Sequence, residues 1–277
     1  MAERAYPSDL SDAEWSLLEP LLPPPALTGR PRKWPTRLVM DAVFYVLRTG
    51  CGWRALPTSF PPWQTVYHHF RRWRLEGVWP KVNAALRTRV RVRAGREAEP
   101  SAAIIDSQSV KTTEQGGPRG FDGHKKVNGR KRHLLVDTNG LLLEVVVHPA
   151  DVSDREGGKR LLERVAGKAP RLEHIWADQG YTGGFQRWAE HRLGVRVEVV
   201  YPWWRQLKRY APELLEGTSY RPGEFNVLPG RWVAERTFGW LGRWWRLSKD
   251  YERLPETEEA FVRAAMVRLM LARLVKA

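Results

Sequence analysis

Between Ser11 and Trp73 the apolar positions recur every three or four residues, the period of helices with one buried face. Ser11-Asp12-Ala13-Glu14 has the form of a capping box and is followed by Trp15, Leu17 and Leu18; Pro20 and the run Pro23, Pro24 and Pro25 stop that helix. Past the basic turn Gly29-Arg30-Pro31-Arg32-Lys33, a second helix is predicted from about Thr36 to Arg48, broken by Gly50 and Gly52. A third follows Pro61-Pro62, with Trp63, Val66, Tyr67, Phe70 and Trp73 as its apolar stripe. Its other face carries Gln64, His68, Arg71, Arg72 and Arg74. A Gly-containing connection between two helices, the latter basic outside, fits a helix-turn-helix-like DNA reader. An ordinary three-helix packing domain with a solvated basic face fits the same pattern. Arg87, Arg89, Arg91, Arg93 and Arg96 then lead to a domain junction at Glu97–Pro100. These arginines read equally as a solvated strand or helix end and as a phosphate-contacting linker.

From Ala102 the period changes to short apolar runs of strand length: Ala102–Asp106, His133–Asp137, Leu141–His148, Leu172–Asp178 and Val195–Val200. Helical patterns fall between the later runs, at Asp154–Val165, opened by Ser153 and Glu156, and at about Phe185–Arg192. Asp137-Thr138-Asn139-Gly140 carries Asn-Gly, a strong hairpin signal, so the second and third strands are predicted antiparallel. A helical crossover then implies parallel pairing for the later strands. A segment rich in Trp, Pro and Gly occupies about 201–230, ahead of a helix from about Arg231 to Leu247. The division predicted is a helical domain over 1–96 and an α/β domain over 97–277, with an insertion at about 201–230. A last helix, about Glu258–Leu274, places Phe261, Val262, Ala265, Met266 and Leu269 along one side as core.

Charge changes the picture more than size does. The 277 residues carry a formal +15, spread along the chain rather than confined to a tail, and this points to a polyanionic partner, nucleic acid first. Cys51 is the only cysteine, which excludes a disulfide framework and a Cys-rich zinc site. The opening residues lack an apolar signal core, and Arg263, Arg268 and Arg273 interrupt the apolar stretch Phe261–Val275. A cytoplasmic protein with no membrane partner is expected.

Three carboxylates stand out by their frames: Asp106 in AIIDSQS, Asp178 in IWADQGY and Glu235 in WVAERTFGW. Each aspartate ends an apolar run and the glutamate lies in a helical pattern. Cutting a phosphodiester needs divalent metal to neutralise charge and activate an attacking oxygen. Mg²⁺ takes hard oxygen ligands and few protein carboxylates, so three acids from two strands and a helix would serve. The element order is the ribonuclease-H-like one, a mixed five-stranded sheet with acids on the first strand, the fourth strand and a late helix.

The sequence resembles the DDE transposases of bacterial insertion sequences, in the insertion-sequence-five group. The resemblance runs over nearly the whole chain, through SDAEWSLLEPLLP, GCGWRALP, IIDSQSVKTT, GFDGHKKVNGRKRHLLVDTNG, ADVSDREGG, WADQGY and WVAERTFGWLGRWWRLSKDYE. It implies that Asp106, Asp178 and Glu235 are the catalytic, metal-binding triad, working with Mg²⁺ or Mn²⁺, two ions in all. One ion would bridge Asp106 and Asp178; the other would be held by Asp106 and Glu235. Related enzymes show Tyr, Arg, Glu and Lys in fixed spacing around the glutamate. Arg231 matches the Arg, on the face of Glu235 and able to contact the scissile phosphate, but Leu228 stands for the Tyr and Gly242 for the Lys. Arg243 or Lys249 would have to supply that charge. The implied partners are double-stranded DNA, as terminal inverted repeats and as target, and further copies of the chain in a dimer or larger complex.

Several features keep two readings. Lys125, Lys126, Arg130, Lys131 and Arg132 form either a phosphate-binding strip beside the site or a solvated charge run. Trp203, Trp204 and Trp232 either stack on an unpaired base or fill local core. Gly239 and Gly242, costly in a helix, suit close packing on the sheet or close approach of DNA. Asp151 and Asp154 suit the start of a helix better than metal ligation. Alternatives to a transposase are a simple ribonuclease-H-like nuclease and an inactive DNA-binding protein.

Overall fold

The structure, a computed structural model, describes residues 5–24, 32–201, 203–216, 218 and 231–276. The chain opens with α1 (Asp12–Leu18), whose capping box forms in full: the Ser11 hydroxyl accepts the Glu14 N–H at 3.1 Å and Glu14 accepts the Ser11 N–H at 2.8 Å. α2 (Thr36–Thr49) ends at Gly50, which takes the left-handed conformation (φ 71°) of a helix C-cap. α3 (Trp63–Leu75) follows. The link from Gly50 to Pro62 is far longer than the ~3–4-residue turn of a helix-turn-helix, and it contains a 3₁₀ turn at Trp53–Ala55. α3 buries Val66, Phe70 and Trp73; Trp63 is only half-buried and Tyr67 exposed.

α4 (Val78–Arg93) is a helix the sequence pattern concealed. Arg87 and Arg91, one turn apart, lie on its buried face, so neither the solvated nor the phosphate-contacting reading holds for these two. Arg91 pairs with Asp137 at 2.5 Å, and Arg87 bonds the Leu142 carbonyl at 3.3 Å and faces Glu99 at 3.5 Å.

The sheet comprises β1 (Ala102–Lys111), β2 (Gly120–Asp122), β3 (Val127–Asp137), β4 (Leu142–Pro149), β5 (His174–Ala177) and β6 (Arg196–Val199). The order is β2-β3-β1-β5-β6, with β4 also on β3. β2 pairs with Val127–Gly129 and β4 with Arg130–Val136, so both share the outer edge of β3 and six strands fill five places. β3 is antiparallel to β1 and β4; β5 is parallel to β1 and β6. This is the mixed ribonuclease-H-like sheet that the element order implies. The predicted hairpin forms: Gly140, at φ 78°, donates to the Asp137 carbonyl, and the Asp137 carboxylate accepts the N–H groups of Asn139 and Leu141.

α5 (Asp154–Val165) and α6 (Gly184–Leu193) cover one face of the sheet, where Ala103, Ile105, Leu135 and Ile175 pack with Leu161, Leu162, Tyr181 and Phe185. α7 (Trp203–Tyr210) lies inside the segment expected as an insertion. α8 (Trp232–Leu241) and α9 (Pro255–Val275) take the other face. α8 stops at Leu241 rather than running on to Leu247; a 3₁₀ turn at Trp245–Leu247 follows. Ile104, Leu134 and Val136 from the sheet join α8, α9 and the first four helices in one continuous core. Phe70 of α3 stacks on Phe261 of α9 at 4.5 Å. The step near residue 97 is therefore a change of element type within shared packing. Phe261, Val262, Ala265 and Met266 are buried as expected, and Leu269 half-buried. Among the described residues no helix is long and apolar enough to cross a membrane.

Candidate active site

β1 and β5 run parallel and hydrogen-bond only as far as Ile104 opposite Trp176. Carrying that register on by two residues on each strand brings Asp106 opposite Asp178, where the ladder has ended. Parallel strands that part at their carboxyl ends make the crevice in which sheets of this kind place ligands. Strand alternation gives Asp106 the face of Ile104, the one that packs on Val233 and Ala234 of α8. α8 buries those residues with Thr237 and Phe238 and leaves Glu235 exposed at its first turn. The middle of β1, where its pairing with β5 has ended, the exit of β5 and one helix thus deliver the three acids that the sequence singles out.

Arg231 connects two of them. Its guanidinium lies 3.9 Å from Asp178 Oδ2 and 3.7 Å from Glu235 Oε1. Backbone donors fix the aspartates: Asp106 Oδ1 accepts the Ser107 N–H at 2.7 Å, and Asp178 Oδ1 accepts the Gly180 N–H at 2.8 Å, capping the 3₁₀ turn Gln179–Tyr181. Burial first, and then the charge of Asp178, push the Asp106 carboxyl up to about 7; the Ser107 N–H, Arg231 and Lys125 pull against that rise.

A divalent ion suits this donor set, which is all hard oxygen and includes two carboxylates whose charges disfavour one another. Among the described residues, no three acids, histidines or cysteines are gathered closely enough to hold an ion as they stand. Arg231 takes the bridging place between Asp178 and Glu235.

The basic residues divide. Arg71 and Arg72 are exposed on α3, where Arg72 pairs with Glu76 at 2.7 Å; Arg74 is half-buried. Lys125 and Lys126 are exposed in the β2–β3 turn, and the Lys125 ammonium bonds the Ser107 carbonyl at 3.1 Å, next to Asp106. Asp122 builds that turn by accepting the N–H groups of His124 and Lys125, both at 3.0 Å. Arg130, Lys131 and Arg132 correct the expected phosphate strip, because all three are buried. Arg130 pairs with Asp250 at 2.8 Å, Arg132 pairs with Glu258, and Lys131 bonds Asp154 at 3.0 Å. Cations so enclosed and paired cannot reach a phosphate.

Other expectations sort likewise. A Cβ on Gly239 would meet nothing within 4 Å, so packing does not explain this glycine, which lies exposed one turn after Glu235. On Gly242 it would meet only ordinary contacts. Arg243 and Lys249 are exposed, and their backbone carbonyls accept from the Arg48 and Arg132 guanidinium groups. Trp232 is exposed with the Arg236 guanidinium 4.2 Å over its ring; Trp204 is half-buried. Leu228 and the Trp203 side chain lie outside the described residues. Asp151 is exposed, and Asp154 opens α5 as expected but also accepts the Ser107 hydroxyl at 2.9 Å. Sequence reasoning passed over Ser107, His133 and Tyr181. Their signal was their place inside the quoted motifs IIDSQS, GRKRH and WADQGY.

The sheet is the ribonuclease-H-like one, and the comparisons with known proteins specify the family. Residues 97–270 match the family described as "Transposase DDE domain", and residues 10–83 match that described as "Putative transposase of IS4/5 family". The chain belongs to the DDE-domain transposases. It is 33% identical over 115 residues to the insertion element IS402 uncharacterized 16.2 kDa protein of Burkholderia cepacia, covering 39% of this chain and 76% of that one. It is also 28% identical over 102 residues to the uncharacterized protein y4sN of Sinorhizobium fredii (strain NBRC 101917 / NGR234), covering 37% and 75%. No solved structure matches the chain.

Proposed function

We propose that the chain binds the terminal inverted repeats of an insertion sequence, cleaves DNA at its ends and joins them to target DNA. The observation that supports this most is the in-register meeting of Asp106 and Asp178 at parting parallel strands, with Glu235 linked to Asp178 through one arginine. Asp106 and Asp178 would hold one Mg²⁺ or Mn²⁺ ion, and Asp106 and Glu235 a second. When bound, the ions supply charge neutralisation at the scissile phosphate and activation of an attacking hydroxyl. Arg231 has a planar fork suited to phosphate oxygens and stands within reach of two of the acids. Lys125 offers a second cation beside Asp106. Arg71, Arg72 and Arg74 would contact the backbone of the flanking duplex, and the bare stretch at Gly239 leaves room for a strand beside Glu235. Working on two ends at once calls for a dimer or larger complex on DNA, acting at the bacterial nucleoid in the cytoplasm.

The test is a labelled duplex carrying the element's end, incubated with Mg²⁺ and wild type, Asp106→Ala, Asp178→Ala or Glu235→Ala. Wild type is expected to nick and join the end, and each variant to bind it without doing either. Cleavage without joining would favour a simple nuclease. Binding without cleavage under any divalent metal would refute the enzymatic reading.

A further inference from the structure

The β1–β5 ladder stops two residues short of the acids, so backbone pairing does not set how far Asp106 and Asp178 stand apart. On the opposite face of the sheet, however, a buried polar knot joins the same two segments. Tyr181, three residues after Asp178, is fully buried, and its hydroxyl lies 2.9 Å from His133 Nδ1 on β3. His133 is the cross-strand partner of Ser107, which directly follows Asp106. The Tyr181 side chain therefore reaches from the exit of β5, past β1, to β3. The Ser107 hydroxyl is itself close enough to hydrogen-bond the Tyr181 phenol, and it donates to Asp154 at 2.9 Å. Asp154 is held in turn by Lys131 at 3.0 Å.

The helix above is stripped to admit this knot. A Cβ on Gly157 would lie 2.4 Å from the Nε2 atoms of both His133 and His148, and one on Gly158 would lie 2.9 Å from the Tyr181 and Phe185 rings. Burial, with help from His148, Lys131 and Lys125, keeps His133 well below the usual imidazole range; burial holds the Tyr181 phenol well above its own. Burial thus disfavours the charged form of both partners. Four separate motifs, IIDSQS, GRKRH, DVSDREGG and WADQGY, converge here.

We infer that Tyr181 is a positioning residue: through His133 and Ser107 it fixes the separation of Asp106 and Asp178 from behind the sheet, and so sets the affinity of that pair for a divalent ion. The inference rests on the metal-binding reading above. Partners of this outer kind are worth about 10–100-fold in metal affinity.

The experiment is direct Mn²⁺ binding to the DNA-free protein, followed by electron paramagnetic resonance, in wild type, Asp106→Ala, Tyr181→Phe, His133→Leu and His133→Asn. Asparagine can place an amide near the position of Nδ1. Melting temperature and metal-free binding of end DNA are measured alongside. Tyr181→Phe and His133→Leu are expected to weaken Mn²⁺ binding about tenfold, with DNA binding unchanged, and His133→Asn to recover most of that loss. If Tyr181→Phe lowers only the melting temperature and binds Mn²⁺ like wild type, the knot is merely structural and the inference falls alone. If wild type shows no Mn²⁺ binding that Asp106→Ala removes, the metal reading fails and takes the inference with it.

Discussion

Arg130-Lys131-Arg132 on β3 and Arg71-Arg72-Arg74 on α3 carry similar charge at similar density, and both read from sequence as DNA-facing strips. The first is buried on both faces of the sheet and the second lies largely in solvent. What separates them is the supply of carboxylates opposite. Alternation on β3 turns Arg130 and Arg132 toward Asp250 and Glu258, and Lys131 toward Asp122 and Asp154. α3 offers only Glu76, one turn along its own exposed surface. A basic run becomes structural when the fold can meet each cation with an acid as it loses water; otherwise it stays outside, available to a polyanion.

That contrast can be broken most forcefully at Arg132. Arg132→Ala leaves the Glu258 carboxyl and the Leu247 carbonyl enclosed without their donor and is expected to cost about 1–3 kcal/mol in urea unfolding. Arg71→Ala should shift stability by no more than about 0.5 kcal/mol. Equal costs at the two sites would erase the distinction. The converse readout is DNA binding against salt. Arg71→Ala/Arg72→Ala/Arg74→Ala should weaken binding and flatten the slope of log K on log salt by about 0.9 for each phosphate no longer neutralised. An unchanged slope would remove α3 from the interface.

Titration sharpens the comparison further. Burial outweighs Arg132 and pushes Glu258 up to about 8 from an ordinary value of 4.5. The folded protein therefore holds that proton more tightly than the unfolded chain. The corresponding stability is complete below about 4.5 and is lost as pH rises through about 8. Chemical denaturation between pH 6 and 9 should show the decline in wild type and a flatter profile in Glu258→Gln; parallel profiles would show that Glu258 does not carry it. The smallest effect belongs to Gly239→Ala, which adds a methyl group into open space. It should stabilise α8 by about 0.5–1 kcal/mol while reducing DNA cleavage if a strand passes there. Unimpaired cleavage would free that surface of any role.

Elements with local signals were legible in the sequence. α5 begins and ends where its Ser153 cap and apolar period place it, and the Asn-Gly turn fixed β3 against β4. α4 was concealed because Arg87 and Arg91 occupy positions on its buried face, so the apolar period fades where the buried cations begin. β3 was read too short for the same reason, since Arg130, Lys131 and Arg132 look like surface and are core. The three acids stood out because an aspartate closing an apolar run and a glutamate in a helical pattern are unusual frames, although β1 runs on past Asp106 to Lys111. The knot of Ser107, His133, Asp154 and Tyr181 was not, because each contact joins residues far apart in the chain and no periodicity reports it.

The central claim is that Asp106, Asp178 and Glu235 act as one metal centre on DNA. The most direct measurement is diffraction from crystals of the protein bound to its end duplex and soaked in Mn²⁺, recorded at the manganese edge. Anomalous peaks bounded by Asp106 and Asp178 and by Glu235, with Arg231 moved onto a phosphate, are predicted. Manganese found elsewhere or nowhere, with Arg231 still between Asp178 and Glu235, would contradict the account.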